Sequence, residues 1–250
     1  MAKPAGESLI RDILDRIFRG TLRAGDRLPA FDRMAEQHRM SVVSVREAIH
    51  KLRLMGLVRI RQGGGTFLVE NIPSIPDILD TRKYVEAAAC FLAAEHADDA
   101  DFRTLDRIIE AMEDDYARRD TVAYTQRDLE FHLTIGRMSK NAILSAFLEN
   151  IQELLYYLQE RTHMMQGTLQ RAYRFHPTIA EALKRRDGSA AQTLIVDHIE
   201  SVKKAWKALD KRKTAPGKAA TKGGGSKPTK DRYGGGSDRA ARPAGTVRSH

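Results

Sequence analysis

Gln62-Gly63-Gly64-Gly65 stands between two β-prone runs, Leu57–Arg61 and Thr66–Val69, in a chain whose other apolar residues recur at helical spacing. Three consecutive glycines suit neither a helix nor a packed strand, so this stretch predicts a β-hairpin with a flexible tip. What precedes it narrows the fold further. Glu7–Arg19 places Leu9, Ile10, Ile13, Leu14 and Ile17 on one helical face, and Gly20 ends that helix. Ala24-Gly25-Asp26-Arg27-Leu28-Pro29 reads as a tight turn entering a short extended piece, because glycine and a residue before proline both disfavour helix. Helices follow at about Phe31–His38 and Val42–Met55, the second with Ser41 as N-cap and Gly56 past its end. Helix, helix, turn, helix and hairpin within about 65 residues is the order of a winged helix-turn-helix.

Asn71-Ile72-Pro73-Ser74-Ile75-Pro76 reads as a linker from its two prolines. Beyond it the pattern is helical as far as Asp210, with breaks near Ala97–Ala100, Asp120, Ser139–Asn141, Gln166–Gly167 and Asp187–Gly188. Those breaks predict about six helices, and their short connections predict an antiparallel bundle. The expected fold is mainly α: a winged helix-turn-helix with a hairpin wing at 7–70, a linker at 71–76 and an all-helical bundle at 77–210. Residues 211–250, rich in Gly, Pro, Lys and Arg with few apolar side chains, read as a disordered basic tail.

The net charge of +9 is unevenly placed. Residues 1–70 are net +5, residues 71–210 net −5 and residues 211–250 net +9. That division fits a first domain that meets nucleic acid and a second that does not, with the tail inflating the total. No apolar run approaches the roughly 18–20 residues that span a bilayer, and no apolar segment follows the first lysine as in a secretory signal. The single cysteine, Cys90, excludes an internal disulfide and reads as a small buried hydrophobe. These features point to the cytoplasm, with no membrane partner.

Leu22–Val69 resembles the winged helix of GntR-family transcription regulators. The resemblance rests on Gly25, Leu28-Pro29, Ala35, Ser41, Val45-Arg46-Glu47-Ala48, Leu52, Gly56-Leu57-Val58 and Gly65-Thr66-Phe67, all in register without gaps. It implies a protein that binds double-stranded operator DNA, commonly as a homodimer. A recognition helix enters the major groove with its first turn, where N–H groups and hydroxyls meet phosphates. Ser41 and Ser44 lie in that turn and Arg46 is within reach of a phosphate, while Ala48, Ile49, Leu52 and Leu54 are expected to face the core. Gly63 and Gly64 allow the wing backbone to approach a groove, with Arg61 and Gln62 beside them.

Three departures from the family pattern alter the expected operator. Val42, followed by Val43, stands where the family has an arginine, so a bidentate guanine contact is replaced at most by contact with a thymine methyl. Asp32 takes another arginine position, with Arg33 one place later. Arg39 replaces the turn glycine, where a left-handed backbone costs roughly 1–2 kcal/mol. Arg33 and Arg39 are candidate DNA contacts or simply solvated arginines, and Arg46 has the alternative of pairing with a neighbour such as Asp32.

Among eight histidines, His38, His50, His96 and His163 have no evident partner and His250 lies in the tail. Three others form a pattern. Asp128 and His132, four residues apart, share one helix face. His176 and His198 lie at equal distance on either side of the Asp187-Gly188 turn, hence at one level of an antiparallel pair. One carboxylate and three imidazoles facing inward suit zinc, nickel, manganese or iron. The region 77–210 is similar to the FCD ligand-binding domain of the FadR-type GntR subfamily, on Arg82–Glu86, Ala87–Ala94, Asp128-Leu129-Glu130-Phe131-His132, Ser139-Lys140-Asn141 and His176…Arg186-Asp187-Gly188…His198. The resemblance implies a divalent metal, zinc first among the candidates, held by Asp128, His132, His176 and His198. It further implies a small organic acid as effector, completing the metal's coordination and held by a cation. Arg82 is the first candidate for that cation, with a salt bridge to Glu86 as its alternative; Arg171 and Arg174 are weaker ones. Tyr84, Phe131, Tyr156 and Tyr173 either line the pocket or fill the core. An effector-responsive regulator, expected to repress, is thus weighed against a metalloenzyme acting on a small acid and a non-specific DNA binder driven by the tail.

Overall fold

The computed structural model describes residues 6–214, with side chains from 6 to 209; the tail expected to be disordered lies outside the described residues beyond Thr214. Ten helices and one hairpin follow in order: α1 (Glu7–Phe18), α2 (Phe31–His38), α3 (Val42–Leu54), β1 (Val58–Arg61), β2 (Gly65–Leu68), α4 (Ile75–His96), α5 (Asp99–Ala117), α6 (Thr121–Met138), α7 (Ala142–Asn150), α8 (Gln152–His163), α9 (Thr168–Lys184) and α10 (Gly188–Thr214). No helix among the described residues is long and apolar enough to cross a membrane.

The winged helix is built as its sequence predicts. Leu9, Ile10, Ile13, Leu14 and Ile17 of α1 are buried with Val45, Ala48, Ile49 and Leu52 of α3. Leu54 departs from expectation and is 51% exposed. It follows Leu52 by two residues, about 200° around the helix, and so points away from the face that packs. The hairpin pairs Val58 with Leu68 through to Arg61 with Gly65, and Arg27 bridges to Phe67 as a third extended piece. Gly65 suits its place because its φ is +104°, a conformation that side-chain-bearing residues rarely adopt, and a Cβ there would also crowd the Arg27 guanidinium at 3.0 Å.

Arg39 closes α2 in the left-handed region at φ 52°, ψ 47°. Arg119, Lys140 and Arg186 occupy the same region just past α5, α6 and α9. A basic side chain at a helix C-terminus gains from the helix dipole, which offsets part of the strain on a residue with a Cβ. Arg39→Gly should therefore raise stability by about 1 kcal/mol. Chemical denaturation checks this, and a midpoint that falls would contradict the strain argument.

In the helical domain four of the five expected breaks are capped starts, and the fifth is Gly167, left-handed and without a side-chain cap, before α9. Asp98 accepts from the N–H groups of Ala100 and Asp101, Asp120 from Ala123, Asn141 from Ile143 and Leu144, and Asp187 from Ala190. Two boundaries differ from the sequence reading. Ser74 and Asp77 form a capping box with Pro76 in the first turn, so α4 begins inside the expected linker. Proline at that position lacks only an N–H that would be unbonded anyway. The bundle also has seven helices rather than six, because α7 ends and α8 begins at Ile151 without glycine, proline or a capping side chain. α10 packs along α4 and α9, α6 packs on α4, α5 and α8, and α1 of the winged helix docks on α8.

Candidate metal centre and nucleic-acid interface

Asp128 and His132 lie one turn apart on α6, His176 on α9 and His198 on α10. All four are at most 2% exposed. One donor atom from each lies within 4.8 Å of the other three. Phe131 walls the cluster, its ring 4.7 Å from that of His176 and 5.4 Å from that of His132.

The donor set fits a transition metal. Asp128 Oδ1 is 2.9 Å from His176 Nε2 and 3.2 Å from His132 Nε2. Neither approach is aligned as a hydrogen bond, and these three atoms together with His198 Nδ1 are buried without a hydrogen-bond partner. A shared proton would satisfy two of the four at most; a divalent cation satisfies them all, and one carboxylate with three imidazoles suits the borderline first-row metals. The rings are also set for this role from behind. Tyr124 Oη lies 3.2 Å from His176 Nδ1, and Glu86 Oε2 lies 2.6 Å from His132 Nδ1, though not in line with its N–H. Both placements suit the tautomers that carry the proton on Nδ1 and leave Nε2 bare toward the cluster.

Glu86 is held in turn by Arg82, whose Nε donates to Glu86 Oε1 at 2.5 Å. The salt bridge that was the alternative for Arg82 is thus formed, and both residues are 2% exposed. Arg82 Nη2 is left without a partner, and Arg82 borders a cavity of about 10 Å³ shared with Asp128, Gln159, His163 and His198. Arg171 and Arg174 are exposed on α9, away from the cavity wall. The helix turns His176 inward, and residues two and five before it point outward. Of the aromatic candidates, Tyr84 is 70% exposed, Tyr156 lies under Arg11 and Tyr173 stacks on Tyr116.

His163 was without an evident partner in the sequence, and the structure supplies two. Thr125 Oγ1 donates to the Thr121 carbonyl at 2.7 Å, so at 2.8 Å it accepts from His163 Nδ1–H. His163 Nε2 then faces Asp128 Oδ2 at 3.3 Å. Glu86, Tyr124, Gln159 and His163 are the residues of this centre that the sequence reading missed. Only Glu86 carried a usable signal, one turn beyond Arg82 on the same face.

Burial is the largest influence on these groups. It pushes His198 well below the ordinary imidazole value of 6.5, aided by His176 and His132. It also lowers His176 and His163, against the pull of Asp128. For His132 burial and Arg82 lower the value, but Glu86 and Asp128 prevail and raise it. Burial would raise Asp128, yet His176 and His132 hold it well below the usual carboxylate range. The sign for stability follows. Three imidazoles stay neutral in the fold while the unfolded chain takes up protons below its ordinary value, so their contribution falls as pH falls. Asp128 and Glu86, both lowered, act in the same direction at lower pH, and His132 alone opposes. Metal-free protein should therefore melt at a lower temperature at about pH 5.5 than at about pH 7.5. An unchanged or higher melting temperature would contradict these shifts.

The winged helix presents a basic face. Ser41 caps α3, its Oγ accepting from Ser44 N–H at 3.0 Å. Arg33, Arg39, Ser41, Arg46, Arg61, Gln62 and Gly63 are exposed, and Ser44 and Gly64 half-buried. Ion pairs here belong to other residues, such as Arg59 with Glu70; the four arginines pair with no carboxylate among the described residues. Arg46 thus does not take its alternative partner. Val42 packs against the core, whereas Val43, the next residue, is 63% exposed.

Residues 77–201, half of the chain, match the FCD domain family, and residues 5–68 match the bacterial regulatory proteins of the gntR family. The HTH-type transcriptional regulator LutR of Bacillus subtilis (strain 168) is 28% identical over 205 residues, covering 73% of this chain and 92% of LutR. The Exu regulon transcriptional regulator of Escherichia coli (strain K12) is 27% identical over 216 residues, covering 79% of this chain and 82% of its own. Among solved structures, E. coli McbR/YncC aligns with a TM-score of 0.59 at 19% identity, over 84% of this chain and 100% of that one, a likeness of fold.

Proposed function

The chain belongs to the GntR family of bacterial transcription regulators, with an FCD domain, and from that membership we infer that it is a cytoplasmic, homodimeric repressor whose hold on operator DNA is set by a small acid at a metal centre. Its relatives are transcriptional regulators, not enzymes. A divalent transition metal, zinc first, would be held by Asp128, His132, His176 and His198, and it would supply a Lewis-acidic position for a carboxylate. Arg82, which borders the same cavity and whose Nη2 has no partner, is the cation that would hold the acid's charge.

One observation carries this reading: α8 belongs to both functional regions. Its Gln159, Thr162 and His163 border the cavity. Its other faces hold the winged helix, with Glu153 paired to Lys51, Arg161 to Asp15, and Glu160 to Arg11 at 2.9 Å. Tyr157 adds a hydrogen bond to Asp15 and stacks on Phe18. A shift of α8 on acid binding would therefore reposition α1 and α3, and in a dimer would change the spacing of two recognition helices.

At the DNA, Ser41, Ser44 and Arg46 would engage phosphates, Arg33 and Arg39 would flank them, and Arg61, Gln62, Gly63 and Gly64 would approach a groove. Val43, with Val42 behind it, offers an apolar surface to a thymine methyl. Selection from a random duplex pool with metal-loaded protein should enrich a two-fold-symmetric site. On that site Arg46→Ala should weaken binding about evenly across sequences and reduce the salt slope by about 1. Failure to enrich any site would refute operator recognition.

A further inference from the structure

We propose that Gln159 reads a hydroxyl on the effector, so that the acid this protein senses is a hydroxy acid rather than a plain carboxylate. The inference rests on the acid-sensing reading above. Gln159 is 3% exposed, and its Nε2 and Oε1 both lack a hydrogen-bond partner. It borders the cavity that also meets Arg82, Asp128, His163 and His198.

The other neutral polar groups at this cavity are already engaged. Thr162 donates to the Leu158 carbonyl at 2.8 Å and accepts from Trp206 Nε1 at 2.9 Å. Thr168 donates to the Met165 carbonyl at 2.7 Å, and Ser201 donates to the His198 carbonyl at 2.7 Å. Gln159 and Arg82 Nη2 are therefore the cavity's unmatched groups outside the metal-binding set. A carboxylate can accept from Arg82 Nη2 and from Gln159 Nε2, because both are donors. It cannot answer Gln159 Oε1, an acceptor that would instead face a negative charge. A hydroxyl beside the carboxylate supplies the missing donor. A site built to hydrogen-bond a ligand hydroxyl rejects the analogue that lacks it, since its own polar group is then left unpaired.

The test uses full-length zinc-loaded protein and two probe pairs that differ by one hydroxyl: glycolate against acetate, and malate against succinate. Dissociation constants are measured by calorimetry for the wild type, for Gln159→Leu, and for Gln159→Met, which keeps the side chain's length without its hydrogen bonds. Zinc content and melting temperature confirm that each variant is folded. In the wild type the hydroxy acid of at least one pair should bind at least about tenfold more tightly than its partner. In both variants that ratio should fall below about twofold while zinc content is unchanged. A wild-type ratio near one in both pairs, or a ratio that survives in the variants, overturns the role of Gln159. If no acid binds the zinc-loaded wild type, the acid-sensing reading fails along with it.

Discussion

Asp128→Asn should reduce bound metal from about one ion per chain to a small fraction of that, and should abolish the rise in melting temperature that metal produces. Asp128 is the one anionic member of the cluster, its Oδ1 lies near two ring nitrogens and its Oδ2 faces His163. The amide preserves volume, so the variant should fold, but it brings no charge to offset a divalent cation in a site that excludes water. Metal at about a thousand times its dissociation constant contributes about 4 kcal/mol. For a domain of this size that is a shift on the order of 10 °C, and the variant should lose it. Elemental analysis after gel filtration, with thermal unfolding before and after chelation, measures both effects. A variant that retains one ion per chain would remove Asp128 from the centre.

The second large effect is expected at Asp15, on α1 of the winged helix and outside that centre. Asp15 accepts a hydrogen bond from Tyr157 and pairs with Arg161, so it joins α1 to α8. Asp15→Ala leaves the cavity and the recognition helix untouched. It should retain metal, bind acid and bind operator. What it should lose is coupling between them, which in allosteric proteins amounts to about 1–3 kcal/mol, or about 5–150-fold in affinity. In the variant, saturating acid should change operator affinity by less than about twofold. A variant with its response intact would show that the signal travels by another route, such as the α4 connection or the Lys51–Glu153 pair.

The winged helix could be read from sequence almost residue by residue because its signals are local. Gly56 and the wing glycines punctuate the chain, Ser41 caps α3, and the apolar residues of α1 keep one helical face. The four metal ligands were also legible, since α6 fixes Asp128 and His132 one turn apart and a marked turn at Asp187 sets the register of His176 against His198. α8 was not legible. Its start at Ile151 carries no turn or cap signal, so nothing in the sequence set the rotation that sends Gln159 and His163 inward and Tyr157 and Arg161 toward α1. Arg171 and Arg174 show the converse limit, since charge near a ligand in sequence says little about which side of the helix it occupies.

The most direct test is operator affinity, measured by fluorescence anisotropy on the selected duplex, for metal-loaded protein with and without saturating hydroxy acid, and again for Asp128→Asn. The acid should change affinity by at least about fivefold in the metal-loaded wild type and by less than about twofold in the variant. An acid response of equal size in the two proteins, or none in either, would contradict control of DNA binding through this metal centre.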